Sequence, residues 1–221
     1  MIRKNDTEFL HTEYLINGVP FSDFGIDVIA KRGLFDMLRV KERTSVSLPG
    51  QHGVVMDRTG CLYEPRSMEF DLSFSDGRKP SREKVALFRA KFIGSVPSRL
   101  TMREDYKEYV WDVDWSEELN REYLRWYAEQ NTITLLETAP VKAVYQVVGA
   151  SASFATAPLS GEVQEPLLFS WGDGSFTDSV REATTTHTYT DGYDKHLVII
   201  SGVLSAVKIT TNHELKYTVA Y

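Results

Sequence analysis

The chain has 221 residues, of which 42% are hydrophobic and 25% charged, a globular composition with enough apolar mass for a core. Lys and Arg number 25 and Asp and Glu 31, a net charge of −6, which argues against phosphate-neutralising nucleic-acid binding and against attachment to anionic membranes. The N-terminus has no apolar signal region and no stretch reaches the roughly 18 apolar residues of a membrane span. We therefore expect cytoplasmic synthesis and no membrane insertion.

Charge density divides the sequence into two parts. The first 140 residues hold 43 charged side chains, whereas the last 81 hold 13 and are richer in Ser and Thr. Ala139-Pro140 is the predicted boundary, because proline ends a strand ladder and stiffens the passage to a new unit. The prediction is a domain at 1–140 and a second at 141–221, the latter able to fold alone.

The first part is mostly predicted β-structure. Asn17-Gly18 favours a type I′ hairpin turn, and the predicted return strand runs through Phe21, Phe24 and Ile26. Strict alternation of apolar and polar residues indicates half-buried strands. This alternation occurs at Val46 and Leu48 and at Met68, Phe70, Leu72 and Phe74. Tyr109-Val110-Trp111-Asp112-Val113 is a further strand candidate.

One helix is predicted at residues 81–93. Ser81 is placed to cap it and Glu83 to meet the positive end of its dipole. Val85, Phe88 and Phe92 share one face, which Leu87 widens, and Gly94 is the expected left-handed C-cap. We expect this face to pack on a sheet. A second helix is predicted at 116–128 from the spacing of four aliphatic and aromatic residues (Leu119, Tyr123, Trp126, Tyr127).

The second part is predicted to be an all-β sandwich, because short strands alternate with turn residues over about 80 positions. The predicted strands are Val144–Val148, Leu167–Trp171, Thr184–Tyr189, Leu197–Ser201, Ala206–Thr211 and Leu215–Val219. The whole chain is therefore expected to be mainly β, with an α+β first domain.

No catalytic, cofactor-binding or metal-ligating residue is predicted. The five histidines lack zinc-protease spacing, and no nucleophile-elbow, phosphate-loop or dinucleotide motif occurs. His187 and His196 are interpreted as polar strand positions. A calcium site from Asp173, Asp178, Asp191 and Asp194 is a minority hypothesis, because turn aspartates commonly make Asx hydrogen bonds. Cys61 is interpreted as a half-buried small residue, not a nucleophile.

Two aromatic groups have alternative interpretations. Trp111, Trp115, Trp126 and Tyr127, with Arg121 and Arg125 between them, have the composition of a stacking platform for bases or sugars. Core packing and subunit contact is the favoured reading of these residues. Trp171 shares a strand face with Phe169, which predicts a core residue and not a ligand-stacking one.

The N-terminal part resembles the distal tail protein family of long-tailed phages through the order of its segments. Those segments are Leu15-Ile16-Asn17-Gly18, Phe21 to Ile26, Val46 to Gly53, Arg66 to Leu72, the helix, and Arg99-Leu100. Pro49-Gly50-Gln51-His52-Gly53 looks like the family's "PGRxG" segment, with Gln51 in place of the usual arginine. The resemblance covers roughly residues 14–140.

This resemblance implies a structural virion protein that forms a hexameric ring at the end of the tail tube, with a variable C-terminal domain facing outward. The implied partners are the tail tube protein, tail-tip hub proteins and other copies of the chain. The family's aromatic-rich "DPxxY" segment is replaced here by Thr138-Ala139-Pro140-Val141, which departs from the family's galectin-like C-terminal domain.

The C-terminal part instead resembles a PKD-like, immunoglobulin-type module. The resemblance lies in Trp171-Gly172-Asp173-Gly174-Ser175, then Thr186-His187-Thr188-Tyr189, then the apolar strand His196 to Gly202. Modules of this kind serve as spacers or contact domains, which implies contact with tip proteins or with host glycans.

The predicted function is a non-enzymatic phage tail-tip protein located in the virion. The alternative, from WGDGS alone, is a bacterial surface or adhesin-type binding protein; the lack of an export signal and the order of the first 140 residues oppose it. A glycan-active enzyme would need paired carboxylates in a cleft, and no spacing singles out such a pair.

Overall fold

A computed structural model describes residues 12–43, 45–47, 49, 52, 55–56, 62–74, 82–104, 106–115, 130–159, 166–180 and 184–219. The described chain is mainly antiparallel β-structure with one α-helix, which confirms the predicted fold class. None of the helices within these ranges is long and apolar enough to span a membrane. Two sets of sheets follow one another along the sequence.

The N-terminal set contains nine strands and helix α1. They are β1 (Glu13–Ile16), β2 (Val19–Pro20), β3 (Ile26–Arg32), β4 (Ser45–Val46), β5 (Val55–Met56), β6 (Arg66–Phe74), α1 (Arg82–Ala90), β7 (Ser98–Glu104), β8 (Lys107–Trp115) and β9 (Gln130–Glu137). Seven strands form the N-terminal sheet, in the order β2-β1-β7-β8-β9-β6-β3, and β4 pairs with β5 separately. The N-terminal sheet is curved, as shown by an ion pair between two strands that are not neighbours in it. Lys31 Nζ of β3 lies 3.7 Å from Glu104 Oε1 of β7.

Strand β6 supplies the centre of the N-terminal core. Met68, Phe70 and Leu72 are fully buried and the residues between them are not, as the predicted alternation requires. The strand is flanked by β3 and β9, so the ladder continues on both sides. The strand prediction is confirmed here, because one face of the pleat meets the core and the other meets solvent.

The turn at Asn17-Gly18 has positive φ at both residues, 49° and 77°, as a type I′ hairpin needs. The predicted return strand is wrong beyond Pro20, because Phe21–Phe24 forms a 3-10 helix. In a 3-10 turn, residues three apart lie on the same side. Phe21 and Phe24 are therefore both buried, which a strand would not achieve.

Helix α1 is shorter than predicted. Its buried Phe88 packs edge-on against Phe21 at 5.0 Å and Phe24 at 5.5 Å, so the helix covers the 3-10 turn. The helix ends at Ala90, and Gly94 has no left-handed φ, so the predicted glycine cap is wrong. Leu87 is 59% exposed and does not widen the buried face. The predicted cap Ser81 and the predicted helix at 116–128 lie outside the described residues.

The C-terminal set is a β-sandwich, as predicted. Its strands are β10 (Lys142–Val148), β11 (Ser151–Pro158), β12 (Leu167–Ser170), β13 (Phe176–Val180), β14 (Thr184–Thr188), β15 (Lys195–Ser201), β16 (Val207–Thr210) and β17 (Glu214–Val219). A five-stranded sheet, β13-β12-β15-β10-β17, faces a three-stranded sheet, β14-β11-β16. All six predicted strands are present, and β11 and β13 were missed.

The outer face of the five-stranded sheet is also covered, by the N-terminal sheet. Val144 and Ile199 of the C-terminal sandwich form a small buried cluster with Val110 of β8. The connection between β9 and β10 is four residues long and contains the buried Pro140. The predicted boundary falls in this connection, and independent folding of residues 141–221 stays a prediction.

Candidate assembly surfaces

A two-stranded ribbon leaves the N-terminal sheet between β3 and β6. Its limbs are joined by an isolated bridge between Val40 and Tyr63 and by backbone hydrogen bonds of 2.8 Å from Lys41 N–H to the Leu62 carbonyl and from Glu64 N–H to the Arg39 carbonyl. Farther out, β4 pairs with β5. An isolated two-stranded ribbon is marginally stable in water, so contacts with another surface would stabilise it.

The ribbon exposes large apolar side chains near its base. Met37 is 95% exposed, Leu62 60% and Val40 49%. Single exposed apolar residues are ordinary on protein surfaces. The bridge between Val40 and Tyr63 places Leu62, the residue before Tyr63, on the opposite face of the ribbon from Val40. The described part of the ribbon therefore exposes apolar side chains on both faces, where a protein partner could cover them. We call Met37, Val40 and Leu62 the ribbon patch.

The root of the ribbon is fixed to the sheet. Arg66 donates a 2.6 Å hydrogen bond to the carbonyl of the buried Leu34. Phe35 packs edge-on against Tyr109 at 5.0 Å and Trp111 at 5.7 Å. Gly33 has φ +81°, and a Cβ there would clash with the Ser67 carbonyl oxygen. The ribbon therefore leaves the body in a defined direction.

Within the part of the chain that the structure describes, the N-terminal sheet has two open ends. Strand β3 lies at one end and the two-residue β2 at the other. A strand edge presents unpaired backbone groups that can pair with another chain. Strand β3 carries a bulge at Ile29, which is 53% exposed, and ends at Arg32, whose guanidinium binds Asp71 at 2.7 Å and Glu69 at 3.2 Å. The bulge and these charges limit indiscriminate pairing at this edge.

The alternative interpretation of an aromatic stacking platform is not supported by the two tryptophans that the structure describes. Trp111 is 3% exposed and Trp115 packs against Phe92 at 5.0 Å, so both belong to the N-terminal core, as the favoured interpretation holds. Trp126, Tyr127, Arg121 and Arg125 lie outside the described residues, as does Cys61.

Trp171 is a core residue, as predicted. It has no solvent exposure and stacks on Phe169 at 5.2 Å with an interplanar angle of 25°. Its indole N–H donates to the Thr177 hydroxyl at 2.8 Å, where the sequence suggested a backbone carbonyl. The partner lies on β13, a strand that the sequence analysis missed.

The WGDGS turn is held by Asp173. One carboxylate oxygen accepts hydrogen bonds from the Ser175 N–H at 2.9 Å and the Ser175 hydroxyl at 2.5 Å, and the other lies 2.7 Å from His187 Nε2. Burial raises the pKa of Asp173, but the bonds from Ser175 and His187 outweigh it and hold the pKa below its ordinary value. Ser175 and Asp173 both meet the same nitrogen of His187, so the three do not form a nucleophile-activating relay.

The two histidines of the sandwich are more than polar strand positions. His187 stacks on Trp171 at 4.8 Å. His196 lies in β15, as the strand prediction requires, but it is only 4% exposed and stacks in parallel on Tyr189 at 3.6 Å, so this polar strand position is buried. Asp191 accepts from the Tyr193 N–H at 3.2 Å and lies 3.5 Å from His196. Asp173 and Asp191 thus accept hydrogen bonds within turns and lie beside His187 and His196. Within the described ranges, Asp178 and Asp194 do not form a metal-binding cluster with them.

Two exposed tyrosines had no sequence signal. Tyr106 lies at the tip of the β7–β8 hairpin with φ +65° and full exposure, and Tyr193 is 72% exposed in the loop before β15. The ion pair between Glu108 and Lys195, 3.8 Å long, joins the strands beside them. Positive φ is uncommon for tyrosine, and no residue pattern near Tyr106 predicts this backbone conformation.

Solved structures of phage proteins are among those similar to this chain. No protein-family model matches the chain, and neither does any curated protein. The chain is similar to a structure described as SPP1 Dit (gp 19.1), a paradigm of the hub adsorption apparatus in phages infecting Gram-positive bacteria. The two sequences are 15% identical, the match covers 93% of this chain and 85% of that chain, and the TM-score is 0.44. It is also similar to a chain of the phage p2 baseplate in its activated conformation with strontium, with 8% identity, coverage of 94% and 96%, and a TM-score of 0.40.

Proposed function

We propose that this protein is a non-enzymatic structural component of a phage tail tip, and that it closes a ring, hexameric by preference, through its N-terminal sheet and ribbon. The ribbon patch is the observation that carries the proposal. A fixed root and exposed Met37, Val40 and Leu62 suit an arm that packs on a neighbouring copy. The order of segments in residues 14–140, which resembles that of distal tail proteins, supports the same assignment.

Ring closure fits the two open ends of the N-terminal sheet. Interfaces between different surfaces of identical subunits form closed rings when the rotation closes and open fibres when it does not. The bulge and the charges on β3 disfavour open polymerisation by that edge. The partners in this role are other copies of the chain, the tail tube protein and the hub proteins of the tip, and the location is the virion.

The C-terminal sandwich is assigned to the outside of the ring, as a PKD-like contact module for tip proteins or host-surface glycans. Buried Trp171 is unsuited to glycan stacking, so a glycan would need an exposed ring such as Tyr193. Loss of cell attachment on Tyr193→Ala, with assembled tails intact, is the result that supports glycan contact. Unchanged attachment of such tails removes Tyr193 from this role.

The ribbon is tested by charge introduction. Met37→Asp with Leu62→Asp is expected to abolish incorporation into tails, because each aspartate would be buried at the subunit contact without a partner. The matched control is Leu215→Asp, also at an exposed leucine but on the sandwich. Both proteins should keep the wild-type melting temperature. Incorporation of the double variant at the wild-type level would refute the assignment of the ribbon.

A proteomic measurement separates this function from that of a bacterial adhesin. The chain is expected in purified tailed particles at a fixed ratio to the tail tube protein. Its presence on the surface of uninfected bacteria, together with its absence from particles, would favour the adhesin.

A further inference from the structure

We propose that Arg99 is a positioning residue that fixes the orientation of the C-terminal sandwich on the N-terminal sheet, so that the two move as one rigid body. This inference concerns the single chain and does not depend on the ring. It rests on three sets of contacts at the domain junction, which we define as the facing surfaces of β7–β8 and of β10, β12, β15 and β17.

The Arg99 guanidinium bridges the two parts of the chain. On its own sheet, Nε donates to Asp112 Oδ1 at 2.5 Å and Nη2 reaches Oδ2 at 3.3 Å. Toward the sandwich, Nη1 donates to the Leu197 carbonyl at 2.6 Å, and Nη2 to the Ser170 hydroxyl at 2.5 Å and carbonyl at 3.3 Å. The side chains of Arg99 and Asp112 are 14% and 13% exposed. A planar guanidinium held from several directions fixes an orientation as well as a distance.

The backbone of Arg99 is held as firmly as its side chain. Its N–H donates to Asn17 Oδ1 at 2.7 Å, and its carbonyl accepts from the Asn17 N–H at 2.8 Å. Asn17 Nδ2 in turn donates to the Lys91 carbonyl, just beyond α1, at 3.0 Å. The β1–β2 turn, the end of the helix and the sandwich therefore meet at one residue.

The sandwich also completes an unpaired part of strand β8. Among the described residues, strand β9 pairs with β8 only at Asp114 and Trp115, and no other described strand lies along the free edge around Val110. The Tyr217 hydroxyl accepts from the Val110 N–H at 2.8 Å and lies 3.3 Å from its carbonyl, to which Lys142 Nζ donates at 2.6 Å. Buried backbone groups without partners are costly, so separation of the two parts is opposed by these bonds.

Lys142 joins this contact to the end of β9. It is 1% exposed and donates to Glu137 Oε1 at 2.5 Å, while Arg66 lies 3.5 Å from Glu137 Oε2. Glu137 and Lys142 are the last residue of β9 and the first of β10. The connection between the domains is thus closed by a buried ion pair across four residues, which leaves little length for a hinge.

The experiment measures the distance between two nitroxide labels by pulsed electron spin resonance. The labels are placed at exposed Glu83 of α1 and exposed Lys208 of β16, in a Cys61→Ser background. The wild-type junction should give one narrow distance distribution. Arg99→Ala should broaden or displace it, and Arg99→Lys should do so partially, because an ammonium cannot reproduce the fork of contacts.

The matched control is Arg103→Ala on the same strand. Arg103 is 52% exposed and binds Glu108 and Glu13 within the N-terminal part of the chain, so its loss should leave the distribution unchanged. If Arg99→Ala fails to fold, Tyr217→Phe and Ser170→Ala remove one junction hydroxyl each and should broaden the distribution. A broad distribution in the wild-type chain, or a narrow one in every folded junction variant, would overturn the proposal.

Discussion

The N-terminal sheet and the C-terminal sandwich are both built from antiparallel strands, but they differ in how their surfaces are covered. The five-stranded sheet of the sandwich is covered on both faces, by β11 and its neighbours on one side and by β8 on the other. Both parts have open sheet ends within the described residues, but only the N-terminal part carries a ribbon, with exposed Met37, Val40 and Leu62. The proposed function therefore places assembly in the N-terminal part and spacing or contact in the sandwich.

The largest expected effect tests closure of the sandwich. Trp171→Ala should lower the free energy of unfolding by about 3–5 kcal/mol, the range for large aromatic residues removed from a core. Exposed Tyr193→Ala is the control and should change it by less than about 0.5 kcal/mol. Denaturant titration measures both. A Trp171→Ala variant that melts like wild type but loses cell attachment would place the indole at a surface and reverse the comparison.

The buried ion pair at the junction comes next. Lys142→Met should cost about 3 kcal/mol, because it leaves the Glu137 carboxylate buried with only the longer contact to Arg66. A double variant, Lys142→Met with Glu137→Leu, should recover part of that loss, since no unpaired carboxylate remains. Equal stability of Lys142→Met and wild type would mean that the pair contributes nothing.

The same lysine makes a prediction about pH. Burial lowers the pKa of Lys142 from 10.5 to about 8, against the opposing attraction of Glu137. Between these values the unfolded chain holds the proton more often than the folded chain, so the free energy of unfolding should rise with pH from about 8 to about 10. In Lys142→Met this rise should be absent, so that it appears as the difference between the wild-type and variant titration curves. Its persistence in the variant would assign it to another group.

A smaller effect tests the root of the ribbon. Gly33 and Gly18 both have positive φ, but only Gly33 is crowded, by the Ser67 carbonyl. Gly33→Ala should therefore cost about 2–3 kcal/mol and Gly18→Ala about 1–2 kcal/mol. Equal losses in thermal unfolding would indicate that the ribbon root is free to shift.

The smallest effect concerns the WGDGS turn. Asp173→Asn should cost about 1 kcal/mol near neutral pH, by weakening the contact with His187. Because the pKa of Asp173 is below its ordinary value, this stability is present above about pH 4 and is lost as the pH falls through the lower pKa. The two proteins should therefore converge in acid, and a constant difference would exclude ionisation of Asp173 as the cause.

Local patterns in the sequence predicted much of the fold. Strict alternation at Met68, Phe70 and Leu72 places one face of β6 in the core, and Asn17-Gly18 has the residue types that positive φ requires. The pattern was misleading at Phe21 and Phe24, because a spacing of three suits a 3-10 turn as well as an irregular strand. Strand β11 was missed because its inward residues are mostly small, apart from Phe154, and give little contrast with the outward ones.

The junction lay beyond local patterns. Arg99 and Ser170 meet across 71 positions, and Val110 and Tyr217 across 107, so no spacing rule brings them together. One signal was present, since His196 to Ile200 is nearly continuous in apolar residues. Such a run favours a strand covered on both faces, whereas an isolated sandwich would alternate. The ribbon patch gave no signal, because exposed Met37 and Leu62 have the same residue types as a core.

Imaging of the purified full-length chain at high concentration, and of isolated tail tips, tests the assembly role most directly. We expect closed rings of uniform diameter, six copies by light-scattering mass, with the C-terminal sandwiches at the periphery and the ribbons between neighbouring N-terminal sheets. Rings that appear only in tail tips would agree with closure on the tail. A chain that stays monomeric at every concentration, together with tail tips that contain no ring of this protein, would contradict the proposed function.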